Sequence, residues 1–302
     1  MSQTYTVYLA PKDREADLET ELGHHVIERY DRLFLCNAPV HPVYFAQDIW
    51  YNARKIPIQS IKDGAKKLRG IQRNWALYPH DYHRRCALIE ENLPHVSAKP
   101  LEFPSPPPDA PLGNWCLIDK DTILAAGECR EPVPNGKYEF IEDKDVPPNR
   151  AYLKLWEGFT RLGRYPQKGE KAIDVGACPG GWTWVLHDLG CKVTAVDKAP
   201  LDPKIAKLPN VSFLQESAFG LDPKEHGPVD WFCSDIICYP DRLYDLVTNW
   251  IDAGMVKNMI CTLKFQGETD FEAVRKFEAI SNSHLQHLYV NKHELTWFWS
   301  TG

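Results

Sequence analysis

No run of about 18 consecutive apolar residues occurs anywhere in the 302-residue chain, which excludes a conventional membrane-spanning helix. The opening residues, MSQTYTVYLAPKDREADLE, lack a basic stretch followed by an apolar one, so no secretory leader is expected and a cytoplasmic location follows. Excess positive charge is missing too. A formal net charge of -6 argues against wholesale coating of a polyanion and leaves room only for a local basic patch. Paired CxxC knuckles are absent: Cys233 and Cys238 lie five apart, and His80 and His83 are the close pair in the basic stretch, so no metal site is expected. The nine cysteines are odd in number and scattered, which fits reduced thiols and not a disulfide framework.

What is present is an ordinary globular composition, 43% hydrophobic and 25% charged, over a length that suits two domains. Residues 93–113, LPHVSAKPLEFPSPPPDAPLG, are dense in proline and read as an extended linker. Before it, residues 1–92 read as a small α+β unit: a strand at TYTVYLA (4–10), a helix over 17–30 with Leu18, Leu22 and Val26 on one face, and a strand at RLFLCNA (32–38). After it, residues 114–145 read as a β-hairpin, NWCLID and TILAAGEC around Lys120-Asp121, with a turn at Pro134-Asn135-Gly136.

One window reverses the sign of the whole. Arg54, Lys55, Lys62, Lys66, Lys67, Arg69, Arg73, Arg84 and Arg85 meet only Asp63 and Asp81 between residues 54 and 85, with Trp75, Tyr78 and Tyr82 interleaved. A phosphate-binding surface for nucleic acid has this footprint. A solvated helix face over core aromatics has it as well, and both readings stay open.

From residue 146 to 302 the pattern alternates. A helix at AYLKLWEGFTRL is followed by strands KAIDVGA, CKVTAVD, VSFLQE, VDWFCSDI and KNMICTLKF, with helices of 8 to 16 residues or a short turn of helix between them. The last two strands, LQHLYVN and ELTWFWS, read as an antiparallel hairpin at one edge. The fold class is therefore α/β, a doubly wound, mostly parallel sheet with a smaller α+β domain before it.

The first of these strands runs into GACPGG. Ligands of such sheets bind beyond the carboxyl ends of the strands, and Gly176, Gly180 and Gly181 let the backbone approach one closely. No Lys-Ser/Thr follows the glycines and the spacing is not GxGxxG, so neither a nucleotide P-loop nor the usual dinucleotide fingerprint is present. The second strand ends in Asp197, about 20 residues on, where an acid accepts hydrogen bonds from ribose hydroxyls. The residues alone thus point to an adenosine-bearing ligand, NAD or S-adenosyl-L-methionine.

DVGACPGGWTW followed by VDK resembles the first two motifs of the FtsJ-like S-adenosylmethionine-dependent ribose 2'-O-methyltransferases. The resemblance implies a Rossmann-like methyltransferase sheet over 146–302 and a Lys-Asp-Lys-Glu catalytic set. That set falls on Lys154 in RAYLKL, Asp235 in CSDI, Lys264 in CTLKF and Glu294 in HELTWFW. It implies a cofactor site made of Asp174, Gly176, Cys178, Pro179, Gly180, Gly181, Trp182, Asp197, Glu216, Ser217 and Asp235. Glu216 precedes a serine where the family carries an acid near position 217, so adenine recognition falls to Glu216 or to main-chain groups. Trp182 and Trp184 are read as packing on the sheet and not as stacking on a base. Within the family the likeness is nearest to enzymes that methylate a cytidine ribose in large-subunit ribosomal RNA, and it runs from about Trp115 to the end of the chain. Those enzymes carry an N-terminal RNA-binding portion related to THUMP modules, and the resemblance implies that residues 1–92, with the basic window, and the hairpin at 114–145 are its counterpart.

The implied partner is RNA, ribosomal RNA first, with no membrane and no metal, and a monomer is expected. An ordinary lysine is protonated at neutral pH; burial and a neighbouring cation lower its proton affinity, and carboxylates raise it. Lys264 is the residue expected to deprotonate or orient the 2'-hydroxyl. A transfer-RNA or messenger-cap methyltransferase of the same family, a noncatalytic RNA-binding assembly factor and an NAD-dependent oxidoreductase are the alternatives.

Overall fold

The computed structural model describes residues 3–301. The chain divides into two compact units: residues up to Leu101 with Pro107–Glu139, and Glu102–Pro106 with the residues from Phe140 onward. The proline-rich stretch therefore does not run as a free spacer, because only its middle five residues leave the first unit.

The first unit is built on one sheet with the order β2-β3-β1-β4-β7-β6-β5. Its strands are β1 (Tyr5–Leu9), β2 (Val26–Tyr30), β3 (Leu33–Cys36), β4 (Asp48–Pro57), β5 (Trp75–Leu77), β6 (Gly113–Asp119) and β7 (Thr122–Ala126), with β8 (Glu128–Cys129) paired to β4. Helices α1 (Glu15–Leu22), α2 (Ile61–Arg69) and α3 (His83–Glu90) complete it. Side chains alternate faces along the strands. Trp115 and Leu117 of β6 join Leu68, Trp75 and Ile89 in one apolar cluster, while Cys116 joins Val7, Leu35, Trp50 and Tyr78 in another.

The segment 17–30 is not one helix. α1 stops at Gly23, whose positive φ of 51° breaks the helical run and is one that glycine takes without steric cost. Beyond it Val26 and Ile27 are β-branched, and residues 26–30 pair antiparallel with β3.

The second unit is a doubly wound sheet of order β11-β10-β9-β12-β13-β15-β14. Its elements are α4 (Tyr152–Leu162), β9 (Lys171–Val175), α5 (Gly181–Asp188), β10 (Lys192–Val196), α6 (Pro203–Ala206), β11 (Val211–Leu214), α7 (Pro223–His226), β12 (Val229–Ser234), α8 (Pro240–Asp252), β13 (Val256–Lys264), α9 (Phe271–Glu278), β14 (Ser283–Gln286) and β15 (Glu294–Ser300). Strands β9 to β13 pair in parallel, and the continuous burial of Ala172–Val175 suits a central strand covered on both faces. The strand order reverses between β9 and β12, which makes their carboxyl ends the crevice where such sheets bind ligands.

The last two strands form the antiparallel pair expected at one edge of the sheet, with β14 outermost. β15 lies between β13 and β14 and is antiparallel to both. It is joined to β14 by residues 287–293, a longer connection than the short turn expected from the sequence. Among the described residues no helix is long and apolar enough to cross a membrane.

Candidate active site

At the β9–β12 reversal the first strand ends in Gly176, whose φ is 77°. A Cβ there would lie 2.7 Å from the Cβ of Ile236, so only a bare backbone fits and the turn is fixed for glycine. A cavity of about 510 Å³ opens beside it, lined by the turn Gly176–Cys178, Asp197, Glu216, Asp235 and Lys264 among others. Asp197 is oriented by its own surroundings: its carboxylate accepts the Cys178 N–H at 3.0 Å and the Ala199 N–H at 2.9 Å. A carboxylate accepts about four hydrogen bonds, so capacity for a diol remains.

Four ionisable side chains meet beside the cavity: Asp235 and Lys264 line it, and Lys154 and Glu294 stand behind them. Lys154 Nζ lies 3.1 Å from Asp235 Oδ1 and 2.7 Å from Glu294 Oε1. Lys264 Nζ lies 3.0 Å from the same Asp235 oxygen and donates to the Asp235 carbonyl at 2.6 Å. Thr262 adds a hydroxyl hydrogen bond to Asp235 Oδ1 at 2.6 Å. Lys264 and Glu294 are direct cross-strand partners between β13 and β15. Burial works against the Lys154 ammonium, but the Asp235 and Glu294 carboxylates outweigh it and its pKa is raised, so Lys154 is a fixed cation.

The support beneath this group is specific. Glu157, one turn after Lys154 on α4, is fully buried and accepts the N–H groups of Tyr289 at 2.7 Å and Val290 at 3.2 Å, with Arg161 paired to it at 2.8 Å. One helix therefore holds both Glu294 and the loop that delivers it. Asp174 is also buried, and burial pushes its carboxyl up to about 7, with the Thr183 hydroxyl bonded to it at 2.6 Å.

Residues 147–286 match the family model described as FtsJ-like methyltransferase. Over 175 residues the chain is 36% identical to the Ribosomal RNA large subunit methyltransferase M of Halorhodospira halophila, covering 55% of this chain and 51% of that protein. The protein of the same name from Marinobacter nauticus is 30% identical over 205 residues, 60% of this chain and 56% of its own length. That from Xanthomonas oryzae pv. oryzae is 27% identical over 253 residues, 78% and 68%. The chain spans about half the length of the first of these relatives.

Residues 147–286 form an FtsJ-like methyltransferase domain. What is present suits the requirements of an adenosine-bearing methyl donor such as S-adenosyl-L-methionine: a bare turn, an oriented acid at the end of β10, and the Asp235 carboxylate on the cavity wall.

Within this methyltransferase domain most of the residues expected at the cofactor lie on the cavity: Asp174, Gly176, Cys178, Gly181, Trp182, Asp197, Glu216, Ser217 and Asp235 all line it. Pro179 and Gly180 do not. Gly180 faces Ile205 of α6, where a Cβ would come within 2.8 Å of the isoleucine side chain, and the Pro179 carbonyl accepts the Asp202 N–H. Both shape the turn from behind. Trp182 is buried and donates its indole N–H to the Ala151 carbonyl at 2.9 Å, and Trp184 is buried among Tyr152 and Trp156, so both indoles pack in the domain.

Sequence reasoning missed Asn149, Phe219, Ile236, Ile237 and Arg242, which also line the cavity. They sit in irregular segments or early in α8, where no motif marks them. The one available signal was the pair of isoleucines directly after Asp235.

In the first unit Trp75 and Tyr78 are buried core residues, and Tyr82 is exposed. Lys55, Lys67 and Arg85 pair with Glu28, Asp63 and Asp121. Arg54, Lys62, Lys66, Arg69, Arg73 and Arg84 are exposed, with Lys62, Lys66 and Arg69 at helical spacing along one face of α2.

Proposed function

We propose that this protein is an S-adenosylmethionine-dependent RNA ribose 2'-O-methyltransferase acting on a cytidine of large-subunit ribosomal RNA. The observation that carries this reading is the convergence of Lys154, Asp235, Lys264 and Glu294 within ion-pair distance beside the glycine corner. The names of the curated relatives support ribosomal RNA as the substrate class.

Bound in the cavity, S-adenosylmethionine supplies an electrophilic methyl carbon on a sulfonium. The protein has two tasks: to hold the 2'-oxygen in line with that carbon and to take its proton. Lys264 is the residue that orients the hydroxyl and receives the proton as the O–CH3 bond forms and the S–CH3 bond breaks. Lys154 is the fixed cation that neutralises Asp235 and Glu294 and keeps the floor rigid. Asp235 anchors Lys264 through both its carboxylate and its carbonyl. Only RNA offers the reacting hydroxyl. The exposed cations Lys62, Lys66, Arg69, Arg73, Arg84 and Arg54, with their paired neighbours Lys55, Lys67 and Arg85, are the surface for its phosphates.

The test is transfer of labelled methyl from S-adenosylmethionine to an unmodified transcript of large-subunit ribosomal RNA, with the product mapped by resistance to alkali. Incorporation at one cytidine, lost when that nucleotide carries a 2'-deoxyribose, is the expected result. Label on a base, or none on any RNA, overturns the reading.

A further inference from the structure

Between Asp235 and α8 the chain runs Ile236-Ile237-Cys238-Tyr239. Exposure alternates along it. Ile236 packs against Gly176 and Cys238 is buried, while Ile237 is 78% and Tyr239 63% exposed. Among the described residues these are the two most exposed large apolar side chains, and they stand two positions apart. The backbone that carries them is anchored at both ends. Asp235 is held by Thr262 and by two lysines, one of which, Lys264, also donates to the Asp235 carbonyl, and Pro240 opens α8 with the fixed φ suited to a first helical position.

A rigid loop that presents an isoleucine and a tyrosine to water marks a contact surface. Its place says what the contact is. Ile237 lines the same cavity as Asp235 and Lys264, and four residues of chain place Tyr239 no more than about 14 Å from Asp235. A ribose presented at this concave site must bring its base out of the helical stack. An exposed aromatic face recovers that lost stacking for any base.

We infer that Ile237 and Tyr239 form a platform for an unstacked base of the acceptor strand. Tyr239 stacks on the base, and Ile237 closes the side toward the reacting ribose. This deepens the RNA-methyltransferase reading above and rests on it. The platform positions the strand and does not select its sequence, since stacking tolerates every base.

The test compares wild type with Tyr239→Ala, Tyr239→Leu, Tyr239→Phe and Tyr239→Trp on an unmodified large-subunit ribosomal RNA transcript. Tyr239→Ala is expected to raise the RNA KM by about 5- to 100-fold, the loss of one stacked base, with kcat little changed. Tyr239→Phe and Tyr239→Trp restore KM, and Tyr239→Leu does not. S-adenosylmethionine affinity by calorimetry and the thermal midpoint stay at wild-type values, which a structural role for Tyr239 would move. A second arm uses a short single-stranded oligoribonucleotide carrying 2-aminopurine, whose fluorescence the wild type quenches and Tyr239→Ala does not.

An active enzyme whose KM is indifferent to Tyr239→Ala, or equally served by Tyr239→Leu, overturns the platform and leaves the catalytic reading standing. Tyr239-dependent quenching by a protein that methylates no RNA does the reverse.

Discussion

Replacing Lys264 by methionine separates chemistry from architecture at this site. Methionine keeps the length and the apolar stem of the side chain and removes the ammonium. Asp235 keeps two partners, Lys154 at 3.1 Å and Thr262 at 2.6 Å, so the carboxylate is not left bare. The Lys264 side chain is 18% exposed, so the lost ion pair is partly screened and the stability change stays within about 1–2 kcal/mol. A positioned group that moves a proton in the transition state contributes about 10²- to 10⁴-fold, which is about 3–5 kcal/mol of barrier.

The predicted phenotype is therefore a kcat lower by two to four orders of magnitude (about 10²- to 10⁴-fold), with S-adenosylmethionine affinity within about threefold of wild type. Single-turnover methyl transfer at saturating RNA measures the first quantity and calorimetry the second. Lys264→Arg is the companion variant, because arginine keeps the charge but does not give up its proton at neutral pH. If Lys264→Arg turns over at the wild-type rate, the lysine acts as a cation and its role as proton acceptor is wrong. If Lys264→Met retains kcat, Lys264 has no part in the chemistry and the catalytic role drawn for this site fails altogether.

Three further outcomes follow from other parts of the molecule. Gly176→Ala forces a side chain at φ 77° to within 2.7 Å of Ile236, so denaturant titration should show a loss of about 2 kcal/mol or more and calorimetry a weakened cofactor site; wild-type values in both would contradict a close approach at this turn. Asp174 has its folded pKa raised by burial from 3.8 to about 7, so the fold binds a proton between those values that the unfolded chain does not, and stability falls as pH rises through that window. Asp174→Asn removes this dependence: its midpoint relative to wild type should be higher at pH 8 than near pH 4, and a constant difference across that range would show the carboxyl to be ionised throughout. Charge reversal at Lys62, Lys66 and Arg69 should weaken RNA binding at every sequence and lower the slope of log K against log salt by about 0.7–0.9 for each phosphate that the variant no longer neutralises; an unchanged slope would remove this face from the RNA surface.

The glycine corner and the acid ending β10 were legible because each is tied to a strand end in an alternating pattern of strands and helices. Asp235, Lys264 and Glu294 also fall at strand ends, but they and Lys154, which lies on α4, were picked out by the family resemblance. Other features are three-dimensional facts with weak local signals. Residues 17–30 read as one helix because the apolar spacing of Leu18 and Leu22 continues into Val26, whose partner is in fact Cys36 across a strand pair and not another helix face. The basic window mixed exposed cations with the buried aromatics Trp75 and Tyr78, since charge and size alone do not report which way a side chain faces. Glu157 carried no signal beyond being an acid in a helix, yet it organises the loop before β15.

The position of β15 shows why strand order in space matters more than order along the chain. The alternative order with β15 outermost, β13 then β14 then β15, would set Glu294 two strand spacings from Lys264, about 10 Å. At that distance Lys154 could not touch Glu294 and Asp235 together. Insertion of β15 beside β13 instead makes Lys264 and Glu294 direct neighbours and brings the glutamate to 2.7 Å from Lys154. With both lysines protonated the four charges sum to zero. If Lys264 is the proton acceptor, it must be neutral to act, and the two carboxylates then still hold Lys154 as a cation. In that state the Lys264–Asp235 ion pair is lost, but Lys154 still pairs with both carboxylates, and the antiparallel insertion is what puts Glu294 within its reach.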